Sequence, residues 1–248
     1  MILRLLFTAI ILVSPLAHAQ GTVHFQKKAL VFAGAGACAE GCATASGEMA
    51  IRNGLTPIYV DQNTLNSQTT EEDRAELFKD VAVWIQPGGY SSSVVNKISE
   101  ELKSALVDFV KQGGAYVGFC AGAFASTRYA GDMDYLGFNL MPGETSLFWN
   151  GGKMEDIIPV QWHHKKRYIY FEGGPYLEHL DGQAEVVGIY PNGQIAAAKS
   201  TIGKGRVFVT GFHPEAPQWW RDAYGMTDPD GLDFDMVDEM IDWTTFKK

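Results

Sequence analysis

The amino-acid sequence predicts an α/β fold, a doubly wound and mostly parallel sheet with helices on both faces and a strand-rich second half. Three features predict it. Apolar runs of strand length alternate with segments of helical periodicity through the first half of the chain. These runs stop at glycine, proline or an acidic residue. In the second half, apolar runs follow one another with mainly turn residues between them. Alternating strands and helices demand crossovers, and crossovers produce parallel strands covered on both faces.

Lys28 to Ala33 reads as the first strand, ending in Gly34-Ala35-Gly36. A helix is expected from about Thr44 to Asn53, and a second strand from Pro57 to Val60, closed by Asp61. Thr70-x-x-Asp73 has the spacing of a helix start, with the helix running to about Lys79. Val81 to Gln86 is a third strand, stopped by Pro87-Gly88-Gly89. Val94, Ile98, Leu102, Leu106 and Phe109 recur at helical spacing and predict one surface helix, ended by Gly113-Gly114. Ala115 to Phe119 is a fourth strand that runs directly into Cys120. Further strands are expected at Ile157–Trp162, Tyr168–Phe171, Glu185–Tyr190, Ile195–Lys199 and Val207–Thr210, with hairpin turns at Asn192-Gly193 and Gly203-Lys204-Gly205. Gly231 to Phe246 reads as a closing helix capped near Asp230. Gln20 to Gln26 and Gly131 to Lys153 carry the weakest pattern.

The first residues predict export. Arg4 precedes an apolar run, Leu5 to Val13, interrupted only by Thr8; Ser14-Pro15 breaks it, and Ala17-His18-Ala19 fits a signal-peptidase site. The run is shorter than the roughly 20 residues needed to span a bilayer. Residues 1–19 are read as a secretory signal and residues 20–248 as a single domain, periplasmic or secreted, with no membrane anchor after cleavage. Loss of Arg4 takes the formal net charge from −9 to −10. So acidic a protein repels phosphate backbones, which argues against a nucleic-acid partner.

An exported chain meets an oxidising compartment. Cys38 and Cys42 are close enough in sequence to form a disulfide where the backbone allows it, a closure worth about 2 kcal/mol. Cys120 is then unpaired, either an inert buried thiol or a reactive one. Its surroundings favour the second. Gly118-Phe119-Cys120-Ala121-Gly122 has the G-x-nucleophile-x-G pattern of a strand–turn–helix elbow. The helix start beyond it favours thiolate, and the Ala121 N–H faces an oxyanion position. Gly211-Phe212-His213-Pro214-Glu215 also follows a strand, and supplies a base and a group to orient it. Gln86-Pro87-Gly88-Gly89-Tyr90 places bare backbone N–H groups after a third strand; taken alone it is a plain turn.

Together, Pro-Gly-Gly, Gly-x-Cys-x-Gly and His-Pro-Glu, in that order, resemble class I glutamine amidotransferases. The resemblance implies a flavodoxin-like sheet, with Cys120 as nucleophile, His213 as base, Glu215 as orienting carboxylate, and Gly89 and Ala121 as oxyanion donors. Gly34-Ala35-Gly36, Gly118-Phe119-Cys120-Ala121-Gly122-Ala123 and Tyr170-Phe171-Glu172-Gly173-Gly174-Pro175-Tyr176 are similar, more narrowly, to the N-terminal domain of biotin–protein ligases and its free-standing bacterial relatives. Gly88, Tyr90, Glu172 and Gly173 then border the substrate. No synthase or biotin-ligase catalytic segment follows the His-Pro-Glu motif, so glutamine itself is not the expected substrate.

Two other patterns carry less. Gly34-x-Gly36-x-x-Ala39 with Asp61 loosely matches a dinucleotide fingerprint, although Glu40-Gly41 precede any clear helix. His163-His164-Lys165-Lys166-Arg167 reads as a solvated hairpin turn rather than a metal or anion site, and Trp149, Trp162, Trp219 and Trp220 as core or rim packing. The expectation is a Cys-His-Glu hydrolase or acyltransferase acting on an amide C–N bond of a small molecule or peptide, with no cofactor and no metal. The alternatives are a non-catalytic binding domain of the same fold and a thiol-redox protein in which Cys120 exchanges with Cys38 or Cys42.

Overall fold

The computed structural model describes residues 27–38, 41–130 and 135–246. The segment read as a signal, residues 1–19, lies outside the described residues, as does Ala39 of the dinucleotide-like pattern. The strands are Lys28–Phe32 (β1), Thr56–Val60 (β2), Val81–Gln86 (β3), Ala115–Phe119 (β4), Tyr129–Ala130 (β5), Tyr135–Leu136 (β6) and Glu144–Leu147 (β7). They continue with Glu155–Trp162 (β8), Lys165–Glu172 (β9), Pro175–Glu178 (β10), Ala184–Ile189 (β11), Ile195–Ile202 (β12) and Gly205–Thr210 (β13). The helices are Cys42–Arg52 (α1), Gln62–Asn66 (α2), Glu71–Leu77 (α3), Ser91–Lys97 (α4), Glu100–Lys111 (α5), Ala121–Ser126 (α6), Gln218–Ala223 (α7) and Phe234–Thr244 (α8).

The order β2-β1-β3-β4-β13 is parallel throughout, the strand order of a doubly wound sheet with its switch point between β1 and β3. Beyond β13 the sheet turns antiparallel through β12, which pairs β10 and β11; β11 pairs β8, and β8 pairs β9. The continuous apolar runs of β1, β3 and β4 follow from burial on both faces. Ala29, Val31, Val83, Ile85, Val117 and Phe119 face one core with Met49, Val237 and Ile241 of α1 and α8. Leu30, Phe32, Trp84 and Tyr116 face the other with Val94, Leu102, Leu106 and Phe124 of α4, α5 and α6. Each large apolar side chain enclosed in this way contributes roughly 1.5–3 kcal/mol.

The Thr70–Asp73 start is a reciprocal capping box on α3. Two expectations need correction. The single helix read through Val94 to Phe109 is two, α4 and α5, because Ser99 starts a new helix by accepting the Leu102 N–H (3.3 Å). Asn66 holds the break, accepting the Ser99 N–H and donating to the Lys97 carbonyl. The closing helix begins at Phe234 rather than near Gly231. Asp230 does not cap it: its carboxylate accepts the Tyr168 N–H of β9. The weakly patterned region contains β6 and β7, whose short lengths leave no periodicity to read.

Candidate active site

Register places the site. Gln86 of β3 pairs with Gly118, and Thr210 of β13 pairs with Phe119. Three adjacent parallel strands therefore end level, and the segments that follow them, Pro87–Tyr90, Cys120–Gly122 and Gly211–Ala216, leave by the carboxyl edge, where open α/β sheets bind ligands.

Cys120 occupies the sharp point between β4 and α6, with φ +48° and ψ −102°. A left-handed backbone at a side-chain-bearing residue costs roughly 1–3 kcal/mol and persists only where its surroundings impose it. Here the Cys120 N–H donates to the Thr210 carbonyl (2.8 Å), and the Cys120 carbonyl accepts the Ala123 N–H (2.9 Å). The flanking glycines are sterically required. A Cβ on Gly118 would lie 2.7 Å from the Gly122 carbonyl carbon, and one on Gly122 would run into the Gln86 carbonyl oxygen. Cys120 is 4% exposed, and its sulfur lies 3.5 Å from the Glu172 carbonyl oxygen.

His213 is 2% exposed, and its Nδ1 is 2.9 Å from Oε1 of the fully buried Glu215. Its backbone N–H donates to the Tyr170 carbonyl (3.0 Å), which ties the segment to β9. The rings of Tyr170 and Trp220 stand edge-on to the imidazole, with centroids 6.0 and 5.4 Å away. Glu215 takes Nδ1, which leaves Nε2 as the other ring nitrogen. Burial by itself lowers the affinity of the imidazole for a proton. The charge of Glu215, then that of Cys120, more than reverses this and holds His213 well above the usual histidine range.

The opposite wall is bare backbone. A Cβ on Gly88 would run into Cε1 of His213 and lie 3.2 Å from both ring nitrogens. Gly89 has φ +132°, and a Cβ there would strike the Gly36 carbonyl oxygen. The Gly34–Cys38 loop holds this wall in place: the Tyr90 N–H donates to Gly36 (2.7 Å) and the Cys38 N–H to Gly88 (3.2 Å). Neither bond uses the Gly89 N–H. Cys38 is joined to Cys42 by a disulfide, with Cα atoms 5.4 Å apart, and Cys120 is a free thiol. The dinucleotide-like glycines thus serve this packing, and Asp61 caps α2 through the Thr64 N–H (2.7 Å).

Cys120, His213, Glu215, Gly88, Gly89, Ala121 and Glu172 converge at this edge, whereas Gly173 follows Glu172 with its N–H on the Met154 carbonyl (3.0 Å). Tyr90 belongs to the same loop but its side chain is exposed. Glu172 is half-buried and accepts a hydrogen bond from the Tyr170 hydroxyl (3.2 Å). Sequence reasoning missed Tyr170 as a site residue, although its place two residues before Glu172 in a strand puts both on one face. It also missed Tyr135 and Tyr190. Burial raises both phenols, and charge at Cys120 adds to the rise in each; a bond from Ser91 opposes it for Tyr135. Trp162 and Trp220 are core, whereas Trp149 and Trp219 are exposed. His163, on the β8–β9 turn, pairs with Glu239 (2.8 Å). A cavity of about 860 Å³ lies at the other end of the strands, lined by Arg74, Phe78, Phe109, Gly113 and Phe246, and contains none of the site residues.

Residues 27–139 match the family described as biotin-protein ligase, N terminal. A biotin–protein ligase of Schizosaccharomyces pombe is 28% identical over an alignment of 196 residues that covers 65% of this chain and 29% of that protein, so the chain spans less than a third of that relative's length. Among solved structures, a glutamine amidotransferase superposes with a TM-score of 0.57 at 16% identity, covering 84% of this chain and 99% of that chain. A cytoplasmic protein of Salmonella typhimurium superposes with a TM-score of 0.54 at 14% identity, covering 88% and 98%. At these identities the structural likeness is one of fold. The chain thus has the α/β fold of the glutamine amidotransferase-like structures, and its residues 27–139 are similar to the N-terminal region of biotin–protein ligases.

Proposed function

We propose that this protein is an exported Cys-His-Glu enzyme that breaks an amide C–N bond by covalent acyl transfer. The observation that carries the reading is the buried His213–Glu215 pair, 2.9 Å apart, together with a cysteine held at a strained elbow whose charge acts on the imidazole. A histidine that keeps its proton beside a cysteine favours a thiolate–imidazolium pair, the reactive form of a cysteine nucleophile. The apolar leader with its Ala-x-Ala end supports export, and the Cys38–Cys42 disulfide suits an oxidising compartment.

In this mechanism the Cys120 thiolate attacks the amide carbon, and the carbonyl electrons move onto oxygen. The Gly89 and Ala121 N–H groups donate to that oxyanion. His213 gives its proton to the leaving nitrogen, the C–N bond breaks, and an amine departs from a thioester. Water then attacks the thioester while His213 takes its proton, and a carboxylate leaves as the sulfur is restored. Glu215 keeps the imidazole oriented and offsets its charge. The substrate is a small molecule or peptide carrying the amide.

The test is labelling of the purified mature protein with iodoacetamide, followed by a screen of amide and γ-glutamyl substrates. Cys120→Ala abolishes turnover and leaves the fold intact. His213→Ala slows labelling by on the order of 10²-fold, the lower bound for a lost acid–base partner. Labelling of the wild type no faster than that of an ordinary free thiol, and indifferent to His213, identifies a non-catalytic binding domain instead. The redox alternative has the Cys120 thiolate attack the Cys38–Cys42 disulfide and release one of its sulfurs as a thiolate; a trapped mixed disulfide of Cys120 with Cys38 or Cys42 identifies it.

A further inference from the structure

The geometry points to Arg221 as a positioning residue for the proposed acid–base pair, acting through the backbone that carries it. Arg221 lies on α7 and its side chain is fully buried. Its Nη1 donates to the Ala216 carbonyl (2.7 Å), one residue after Glu215, and the Ala216 N–H in turn donates to the His213 carbonyl (3.2 Å). Two carboxylates hold the guanidinium: Asp228 on Nε (2.7 Å) and Asp233 on Nη2 (3.1 Å). The planar fork of arginine spans three acceptors in fixed directions, which the point charge of lysine does not. The residue before it, Trp220, packs its ring against His213. One helical turn thus supplies both a wall for the imidazole and an anchor for the His213–Ala216 turn.

A charge this deeply buried is needlessly costly if it only links α7 to α8, since an apolar side chain does that without desolvation. What the guanidinium adds is a fixed position for a carbonyl adjacent to Glu215, and so for the carboxylate that sets the imidazole. Arg167 shares Asp233 (2.9 Å) but bonds otherwise to Asp235 and Asp230, on the far side of the network from Ala216. It provides the internal control. The titratable groups around the Cys120–His213 pair are Glu215, the hydroxyls of Tyr170, Tyr135 and Tyr190, and Glu172 behind Tyr170; all remain in every variant below.

This inference rests on the Cys120–His213 reading, and the experiment separates the two. The alkylation rate of Cys120 by iodoacetamide is measured against pH in the mature chain, alongside thermal melting, for the wild type, His213→Ala, Arg221→Lys, Asp228→Ala and Arg167→Gln. Asp228→Ala leaves Arg221 paired with Asp233 and serves where Arg221→Lys does not fold. Arg221→Lys and Asp228→Ala are expected to slow labelling by roughly tenfold to a hundredfold, the scale of a misplacement near 1 Å. Both also displace the acid limb of the profile toward that of a simple thiol, whereas Arg167→Gln lowers melting but keeps the wild-type profile. A folded Arg221→Lys or Asp228→Ala whose profile superimposes on the wild type overturns the role of Arg221. Equal displacement by Arg167→Gln overturns it too, since the effect is then general loosening. A wild-type profile identical to that of His213→Ala defeats the catalytic reading itself.

Discussion

His213 and Glu215 hold one wall of the candidate site with buried side chains: a carboxylate on an imidazole, two aromatic rings at its edges, and a backbone bond to β9. Gly88 and Gly89 make the other wall with no side chains at all, pinned by main-chain bonds from the Gly34–Cys38 loop. The first wall is specified by charge and is sensitive to changes that alter protonation. The second is specified by the absence of volume and is sensitive to any added atom. The same substitution size therefore means different things on the two sides.

The largest effect is expected from Glu215→Gln, which keeps the shape of the orienting group and removes its charge. Labelling and any turnover should fall by on the order of 10² to 10⁴-fold. The change also has a pH signature. In the folded wild type His213 binds its proton more tightly than in the unfolded chain, so its stabilisation is fully present below the ordinary histidine pKa, about 6.5, and is lost as pH rises through the folded value. Removal of Glu215 flattens that alkaline decline. Asp233 acts in the same direction over a lower window: burial pushes its carboxyl up to about 7 against the pull of Arg167 and Arg221, so stability falls as pH rises from about 4 to that value. Melting temperature against pH separates the two, because Glu215→Gln changes only the upper part. An unchanged decline above neutrality would show that Glu215 does not hold the histidine proton.

Next comes Gly88→Ala on the opposite wall. Its methyl group enters space filled by the His213 ring. Relief by a shift of loop or ring costs roughly 1–3 kcal/mol, and the ring moves out of line with the sulfur. Labelling should slow more than melting falls, because the collision is with the His213 imidazole itself. Gly54→Ala, where nothing lies within 4 Å of an added Cβ, tests strain of a left-handed glycine (φ +73°) without a collision. Melting should fall there with no change in labelling. Equal slowing in both would mean that the glycine wall contributes only through general stability.

The parallel half of the fold was legible because burial on both faces turns β1, β3 and β4 into unbroken apolar runs, a pattern a sequence displays directly. Cys120, His213 and Glu215 were legible because each sits just beyond such a run. The division of α4 from α5 was not, since an apolar stripe passes through Ile98 on both sides of the break and the break depends on Asn66, more than thirty residues earlier. Arg221 was not either: a single arginine among Asp222, Asp228, Asp230 and Asp233 has the look of a solvated charge until the fold buries it. Tyr135 lies in a two-residue strand that no periodicity announces.

The smallest effect should come from the disulfide, and it bears most closely on how the two walls differ. Closing the loop between Cys38 and Cys42 restrains few unfolded conformations, so Cys38→Ser with Cys42→Ser should cost only about 2 kcal/mol. Its position gives that small cost an uneven distribution. The Cys38 N–H holds the Gly88 carbonyl, and Cys38 and Cys42 pack beside Tyr170 and Trp220, the rings that enclose His213. Freed of the link, the Gly34–Cys38 loop holds the glycine wall less firmly, while the His213–Glu215 bond is untouched. The double variant should therefore keep the pH profile of Cys120 labelling, which the side-chain wall sets. If the proposed enzyme acts on an amide, the variant should lose turnover by more than it loses labelling, because oxyanion placement matters only when a carbonyl is attacked. A displaced labelling profile in that variant would show that the two walls are not independent.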